Sequence, residues 1–369
     1  MSARARVPFV DLHPGDDAAA VARAITRVVA SGWYVLGPEV EQFEAEFAAA
    51  CHAPFAIGVA SGTDAIALAL RALDIGPGDE VIVPAMTAAY TAFAVIAAGA
   101  RPVIVDVEAA TLTIDPDACA DAITARTRAI VPVHLYGQPA DMTRIRQLAQ
   151  RHALAIVEDC CQAHLATADG RPVGTDADAA AFSFYPTKNL GALGDGGAVI
   201  TSRAPLVDRI RRLRNGGQTA RYQHLEAAGH SRLDELQAAV LRARLPFVAG
   251  WTARRRELAA LYRRELPPFV QPIEERDPGH VYHLFPVRVA ERDALQSHLA
   301  AAGVETLIHY PVPLTEQPAF AAYEPFHCPA AAEASRTLLS LPLYPRLADA
   351  NAAAVAHEVD AFRKGSQPA

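Results

Sequence analysis

The lysine in the segment SFYPTKNLGALGDGG (183–197) is the residue in this sequence best placed for covalent chemistry. Lys188 follows an apolar run that ends at Phe184, and four glycines come after it. A loop lysine at the edge of a sheet, partly removed from water, can lose its proton near neutral pH and form an imine with an aldehyde. The glycines allow a flat ligand to approach the backbone, and Ser183 offers a hydroxyl to a phosphate. A glycine-rich hairpin with a solvated lysine remains the alternative.

A carboxylate forms the second candidate feature, in the segment AIVEDCCQAH (155–164). Asp159 stands at the C-terminal end of an apolar strand, which is where open α/β sheets meet their ligands. A carboxylate there can pair with the pyridine nitrogen of pyridoxal phosphate and keep the ring protonated, so that the ring acts as an electron sink. Gln162 is placed to hydrogen-bond the ring hydroxyl. Taken alone, Asp159 also fits a helix cap or a loop acid.

A phosphate cradle is the third feature, in the segment VASGTDAIALAL (59–70). Gly62 and Thr63 open an apolar helix, and the free amides of a helix N-terminus bind phosphate. Ordinary helix capping explains Ser-Gly-Thr-Asp equally well. The three features occur in order on successive βα units, however, and together they are the parts that a pyridoxal-phosphate site needs.

Motifs for competing chemistries are missing from the sequence. There is no G-x-G-x-x-G after a strand and no G-K-[ST] phosphate loop. The segment HEVD (357–360) lacks the second histidine of a zinc-binding helix, so no metal is expected. His134, His309 and His327 are scattered, which is more typical of structural histidines than of catalysts. A dehydrogenase, a kinase and a zinc hydrolase are therefore disfavoured.

The elements that position these residues alternate between strands and helices from about Phe55 to Arg214, as in a largely parallel sheet flanked by helices. The predicted strands are 56–60, 80–84, 102–106, 129–134, 155–159, 180–184 and 198–202. The predicted helices are 63–73, 87–98, 116–123, 141–152 and 204–214. A long helical pattern with a kink at Pro246 then covers 233–266, and a strand at 281–289 and a helix at 291–303 follow. We predict a large domain over 1–245 and a smaller C-terminal α+β domain over 246–369.

Composition restricts the remaining possibilities. The 369 residues are 51% hydrophobic and 20% charged, with a net charge of −7, and the basic residues lie beside acids, so a nucleic-acid partner is not expected. The five cysteines have no metal-ligand spacing and the N-terminus has no apolar signal run, so we expect a reduced, cytoplasmic protein. The uncharged stretch 81–100 is split by Pro84 and rich in alanine and threonine, which favours strand, turn and helix over a membrane span.

These motifs together resemble the DegT/DnrJ/StrS group of nucleotide-sugar aminotransferases. The resemblance extends over nearly the whole chain, from VPFVDL (7–12) to LLSLPLYPRL (338–347), and includes SRLDELQAAVLRARL (231–245). It implies a fold-type-I architecture in which a large domain, with a mostly parallel mixed sheet, carries pyridoxal 5′-phosphate beside a small domain. It further implies a homodimer with shared active sites and transfer of an amino group from L-glutamate to a nucleotide-linked keto-sugar, the cofactor alternating with pyridoxamine 5′-phosphate.

By position, the resemblance assigns a role to each candidate residue. Lys188 becomes the Schiff-base lysine, Asp159 the pyridinium partner and Gln162 the contact to the ring hydroxyl. Gly62, Thr63 and Ser183 would hold the phosphate. The remaining expected contacts are Ala88 and Tyr90 on the cofactor ring, His230 and Arg232 reaching in from the neighbouring subunit, and Tyr185, His309 and Tyr310 on the substrate.

Several positions depart from the pattern of that group. Ala88 occupies the place of a stacking aromatic residue, with Tyr90 as a substitute, and His230 replaces an asparagine, so the charge at that position would depend on pH. Leu165 replaces a glycine, and Thr315 replaces a common histidine. These changes bear on cofactor stacking and on sugar specificity, and they leave Lys188 intact.

Three functions remain open from the sequence. The run HLYG (134–137) favours enzymes that act at C3 of dTDP-linked keto-6-deoxysugars. An aminotransferase for a keto-cyclitol would share the motifs without the nucleotide, and a non-catalytic regulatory protein could retain the cofactor. The dehydratases of the group place histidine where this chain has Lys188, which disfavours that reaction.

Overall fold

Seven strands form the central sheet, and their order places the predicted site residues at one edge. A computed structural model describes residues 6–323 and 327–365, without the side chains of the last two. The first five residues of the predicted large domain and the last four of the predicted second domain lie outside this description. The strands of the central sheet are β1 Phe55–Val59, β2 Glu80–Pro84, β3 Arg101–Val105, β4 Thr127–Ile130, β5 Ala155–Asp159, β8 Ala179–Ser183 and β9 Gly197–Thr201.

The remaining strands form smaller sheets. Two are short hairpins, and the other is three-stranded and antiparallel. Their strands are β6 Thr167–Ala168 with β7 Arg171–Pro172, β10 Gln218–Ala220 with β11 Gln223–His224, and β12 Gln271–Pro272 with β13 Phe285–Arg288 and β14 Leu338–Leu341.

Twelve α-helices surround these sheets in the described ranges. They are α1 Ala18–Ser31, α2 Pro38–Ala50, α3 Gly62–Ala72, α4 Tyr90–Ala97, α5 Pro116–Asp121, α6 Met142–His152, α7 Ala204–Leu213, α8 Glu235–Arg244, α9 Val248–Glu265, α10 Arg292–Ala301, α11 Pro329–Thr337 and α12 Asp349–Gly365. No helix in these ranges is both long enough and apolar enough to cross a bilayer.

The central sheet has the order β1-β9-β8-β5-β4-β2-β3. Neighbours from β8 to β3 are parallel, and β9 runs antiparallel to β1 and β8 on either side of it. The predicted mostly parallel mixed sheet flanked by helices is therefore confirmed. Because β9 reverses direction, β1 runs the same way as β8, and the carboxyl ends of β1, β2, β5 and β8 all lie at one edge.

Helices cover both faces of this sheet because alternate strand residues point to opposite sides. In β2, Val81 and Val83 pack into a core that includes residues of α3, α4 and α7, whereas Ile82 packs with residues of α5 and α6. Phe182 of β8 packs with residues of α2 and α8 in a further core. The strands are thus buried on both faces, and their polar residues are concentrated where they end.

Element boundaries differ from the predicted ones where local backbone geometry intervenes. The predicted strand 281–289 begins only at Phe285, because Tyr282 adopts a positive φ of 46° and the Val281 amide donates to Gly137. The predicted long helix is divided into α8 and α9 by a 3₁₀ turn at Leu245–Phe247, which contains Pro246.

A separate core lies around the three-stranded sheet and includes side chains from α9, α10 and α12. Residues 314–334, by contrast, contribute Leu314, Phe320 and Ala331 to the core of the central sheet. The domain boundary at 245/246 stays a prediction.

Candidate active site

A cavity of about 650 Å³ opens at the edge of the central sheet where β1, β2, β5 and β8 end. This volume lies in the range of small-molecule sites. It is lined by ten of the predicted site residues, namely Gly62, Thr63, Ala88, Tyr90, Asp159, Gln162, Ser183, Tyr185, Lys188 and Tyr310. Gly62 and Tyr310, which are 248 positions apart in the sequence, therefore line the same cavity.

Asp159 is held rigidly at the end of β5. Its side chain is buried, its Oδ2 accepts a hydrogen bond from Thr91 Oγ1 at 2.8 Å, and its Oδ1 accepts one from the Cys161 amide at 3.1 Å. Thr91 Oγ1 also lies 3.1 Å from Thr87 Oγ1. Both carboxylate oxygens thus have a fixed partner, and the remaining lone pairs are available to a ligand in the cavity.

Lys188 lies on the loop after β8 and is partly buried in the wall of the same cavity. Burial lowers the pKa of Lys188 from its ordinary 10.5, and the nearby Cys161 and Asp159 only partly oppose this effect. Desolvation disfavours the charged ammonium, so the neutral amine becomes more accessible at moderate pH. The neutral amine is the form that attacks an aldehyde.

Two buried histidines near Lys188 add no positive charge to its surroundings. Burial lowers the pKa of His164 to about 3 and that of His283 well below its usual 6.5, with the charge of Lys188 acting in the same direction. His164 Nε2 donates to the carbonyl of Ser183 at 2.9 Å, and His283 Nδ1 lies 3.2 Å from Asn189 Oδ1. Both rings support the lysine loop and its preceding strand in the neutral state.

The end of the cavity at α3 has the features of a phosphate site. The amides of Gly62 and Thr63 lie in the first turn of α3, where an α-helix provides no internal acceptor. A Cβ on Gly62 would lie 2.7 Å from both Cys161 Sγ and Ser183 Cβ, so only glycine allows this close approach. Ser183 is engaged only weakly, accepting from the Tyr185 amide at 3.4 Å. These donors converge on one place, as an anion requires.

Gln162 is tied into a network that also holds Tyr310. Its Oε1 accepts from the Tyr136 amide at 2.7 Å, and its Nε2 donates to the Tyr310 hydroxyl at 3.0 Å. The Tyr136 hydroxyl in turn donates to the carbonyl of His309. One Nε2 hydrogen of Gln162 remains for a ligand.

Three predicted site residues do not line this cavity. The ring of His309 lies behind Tyr310, with its Nδ1 3.0 Å from Ser340 Oγ and its face stacked on Phe9, and burial lowers its pKa to about 4. His309 therefore lies outside the lining of this cavity in its own chain, and its role as a substrate contact stays a prediction.

His230 and Arg232 flank a serine that anchors their segment. Ser231 is buried, donates to Asp64 Oδ2 at 2.8 Å and accepts from the Ala60 amide at 3.0 Å, which ties the segment to the turn between β1 and α3. His230 is exposed, and Arg232 donates to Asn215 Oδ1 at 3.2 Å. Neither residue lines the cavity of its own chain.

Several site residues escaped the sequence reasoning. Thr91 holds Asp159, and Ser61, Cys161 and Asp195 also line the cavity. A weak signal existed for Thr91, since Thr87 and Thr91 are four residues apart in a segment that follows a strand. No local pattern connects that segment with β5, however.

His134 has a structural setting beside the site. Its Nε2 lies 2.8 Å from Glu158 Oε2, and its Nδ1 accepts from the Ala140 amide at 3.0 Å. With Cys160 these residues form a buried group that has the atom types of metal ligands, but both ring nitrogens of His134 are already used within the protein. The pair supports the end of β5 from behind Asp159.

The residues of the cavity fit pyridoxal phosphate. The amides at the start of α3 would hold its phosphate, Asp159 its ring nitrogen and Gln162 its ring hydroxyl. Lys188 would provide the amine for its aldehyde, and a glycine is present where a side chain would clash.

Comparisons with known proteins agree with this arrangement. A model of the DegT/DnrJ/EryC1/StrS aminotransferase family matches residues 16–360. The "dTDP-3-amino-3,4,6-trideoxy-alpha-D-glucose transaminase" of Streptomyces venezuelae is 50% identical over an alignment of 377 residues, which covers 100% of this chain and 99% of that protein. The "Erythromycin biosynthesis sensory transduction protein EryC1" of Saccharopolyspora erythraea is 49% identical over 348 residues, which cover 92% and 95%.

Among solved structures, a crystal structure of DesV from S. venezuelae in complex with a ketimine intermediate superposes with a TM-score of 0.95. It shares 49% sequence identity with this chain, and the match covers 99% of this chain and 100% of that one.

Proposed function

The chain belongs to the DegT/DnrJ/EryC1/StrS aminotransferase family, and on that basis we propose that it moves the amino group of L-glutamate to a nucleotide-linked keto-sugar. It is a pyridoxal-phosphate-dependent sugar aminotransferase. The proposed acceptor is a dTDP-3-keto-6-deoxyhexose, and the setting is amino-sugar biosynthesis.

The observation that carries the proposal is the full-length identity of 50% to a transaminase named for a dTDP-linked 3-amino sugar, together with an intact lysine and acid in one cavity. The expectation that HLYG (134–137) favours C3 enzymes agrees with that name.

The residues divide the work of the reaction between them. When bound, pyridoxal phosphate supplies an aldehyde that accepts the amino group and a ring that withdraws electrons from the reacting carbon. Lys188 Nζ would hold the aldehyde and then, once released as a free amine, would take a proton from the donor α-carbon and deliver it to the carbon that bore the aldehyde. Its lowered pKa suits this role, because a base must be unprotonated when it acts. Asp159, fixed by Thr91, holds a proton on the ring nitrogen.

The open side of the cavity is proposed to receive the sugar. Tyr185 and Tyr90 are 52% and 66% exposed there, and Tyr310 lies deeper with its hydroxyl on Gln162. Aromatic side chains of this kind provide both a flat apolar surface and a hydroxyl. We propose that Tyr90 covers the cofactor face that Ala88 leaves bare.

A homodimer with shared sites completes this proposal. His230 and Arg232 are proposed to reach the phosphate in the partner subunit. Ser231 anchors their segment to Asp64, whereas neither of the two side chains lines the cavity of its own chain. Complementation tests this point. Lys188→Ala and Arg232→Ala homodimers should each be nearly inactive, and co-refolded mixtures should regain activity, because each heterodimer then contains one intact site. Activity in the mixture no higher than the sum of its parents would contradict shared sites.

The central experiment uses purified holoenzyme. L-Glutamate should convert the yellow form to the pyridoxamine form, and a panel of dTDP- and UDP-linked keto-sugars should restore the yellow colour, fastest with a dTDP-3-keto-6-deoxyhexose. Failure of every nucleotide-linked sugar, with conversion by a keto-cyclitol, would replace this acceptor by the alternative one.

A regulatory role is the second candidate, favoured by the name of the relative from S. erythraea. An absorbance spectrum that L-glutamate and other amino donors leave unchanged would support that role over catalysis. We further propose a cytoplasmic setting, since none of the five cysteines forms a disulfide in the described part of the chain.

A further inference from the structure

A second cavity, of about 310 Å³, lies on the other side of the lysine loop. Thr187 and Lys188 line both cavities, so this loop is the wall between them. The remaining lining comes from other residues of the lysine loop within 186–193, from the N-terminal segment 10–17, from α8 and α9, and from residues 344–346. Any molecule that fills the second cavity therefore lies beside the reactive amine.

Arg255 of α9 lines this second cavity with an unusual environment. Its side chain is buried, and Nη1 donates to the carbonyls of Tyr282, His283 and Leu343 at 2.9–3.3 Å. Neither Nε nor Nη2 has a hydrogen-bond partner among the described residues, and Nε is fully enclosed. The three carbonyls therefore account for Nη1 only, and the N–H groups on Nε and Nη2 are left without an acceptor among the described residues.

No carboxylate in the described chain offsets the charge of Arg255. Burial lowers its pKa to about 10, and no acid counteracts that effect. The other two arginines of the cavity are paired, Arg244 with Asp17 at 2.8 Å and Arg346 with Asp11 at 2.7 Å. A buried, unpaired cation is costly unless an anion joins it.

We propose that Arg255 binds the side-chain carboxylate of the amino donor, with the second cavity as the donor subsite. This inference rests on the proposed function. A dicarboxylic amino acid fits a cavity of about 310 Å³, whereas a nucleotide-linked sugar needs the larger one. The α-carboxylate stays on the reacting carbon near Lys188. The distal carboxylate extends away from that carbon, and Arg255 Nη2, which has no partner in the described chain, can donate a charge-assisted hydrogen bond to it.

The test separates the two half-reactions in single-turnover experiments on the holoenzyme. Arg255→Met should lower the second-order rate constant for L-glutamate by roughly 10- to 100-fold, the value of a charge-assisted hydrogen bond. It should leave the reverse half-reaction with a dTDP-linked amino sugar within about twofold of wild type. Arg255→Lys should restore part of the loss, since it keeps the positive charge.

A matched control lies one residue away on the same helix. Arg254 already pairs with Asp349 and Glu257, and it does not line the cavity, so Arg254→Met should leave both half-reactions unchanged. The preference for L-glutamate over L-alanine should fall in Arg255→Met by the same factor as the rate. Glutarate, which cannot react, should raise the melting temperature of wild type and of the control but not of Arg255→Met.

The possible outcomes test the donor subsite separately from the proposed aminotransferase function. An unchanged glutamate half-reaction in Arg255→Met overturns the subsite. An equal fall in both half-reactions makes Arg255 a folding residue, and a fall in the sugar half alone assigns it to the diphosphate; either result also overturns the subsite. If wild type fails to react with L-glutamate, the proposed function itself is wrong, whatever Arg255 does.

Discussion

Replacing Asp159 by asparagine removes one charge from the site while keeping its shape. The asparagine Oδ1 can still accept from the Cys161 amide, which lies 3.1 Å from the aspartate oxygen. Its Nδ2 would donate to Thr91 Oγ1, whose own hydrogen can turn to Thr87 Oγ1 at 3.1 Å. Each polar atom thus retains a partner, and we expect the stability to change by less than about 1 kcal/mol.

The effect on the reaction should be much larger than the effect on stability. An opposite charge within 4–6 Å shifts a pKa by roughly 1–3 units, so its loss lowers the ratio of protonated to neutral ring nitrogen by about 10- to 1,000-fold. Electron withdrawal from the reacting carbon depends on that proton. We therefore expect the half-reaction with L-glutamate to slow by about 100-fold in Asp159→Asn.

The assay follows the absorbance of the cofactor after mixing with L-glutamate, at saturating cofactor, so that weaker binding does not mimic slower chemistry. Urea denaturation measures the free energy of unfolding of each variant in parallel. Tyr185→Phe, at the open side of the cavity, serves as a second substitution that preserves shape, and it should slow this half-reaction far less.

A wild-type rate in Asp159→Asn would refute the assignment of Asp159 to the ring nitrogen. A large loss of stability would refute the hydrogen-bond reasoning instead, since the exchange of partners with Thr91 would then fail.

Three further predictions concern neighbouring residues. Thr91→Val, which removes the donor to Asp159, should slow the glutamate half-reaction by about 10-fold, and Thr91→Ser should recover it. Because burial lowers the pKa of Lys188, the unfolded cofactor-free protein binds more protons than the folded one between the folded-state pKa and 10.5. Wild-type stability should therefore rise relative to Lys188→Met as pH increases towards 10.5, and parallel pH-dependent curves in urea denaturation would count against this. Glu235→Ala should lower the free energy of unfolding by about 2–4 kcal/mol, since its carboxylate accepts from three amides at the start of α2. Glu41 is exposed in the first turn of the same helix, and a loss as small as in Glu41→Ala would contradict that role.

Much of the site could be predicted because its signals are local. The strands 80–84 and 155–159 were predicted with the bounds that the structure has, since each is a short apolar run between turn residues or charges. Lys188 and Asp159 could be placed at the sheet edge because polar residues at or just after the ends of buried strands lie there, and parallel strands bring those ends together. Leu165 adopts a positive φ of 59°, the conformation that suits the glycine usually found in the resembled family.

The tertiary structure alone decided which side chains meet across that edge. The bond from Thr91 to Asp159 joins α4 to β5, His309 turns to Ser340, and Arg255 finds three carbonyls but no carboxylate. Propensity and periodicity act over a few residues, whereas a hydrogen bond or an unpaired charge depends on which distant segment packs alongside. The sequence therefore determined which lysine and which acid lie at the edge of the sheet, and packing determined which side chains hold them and which arginine is left without a carboxylate.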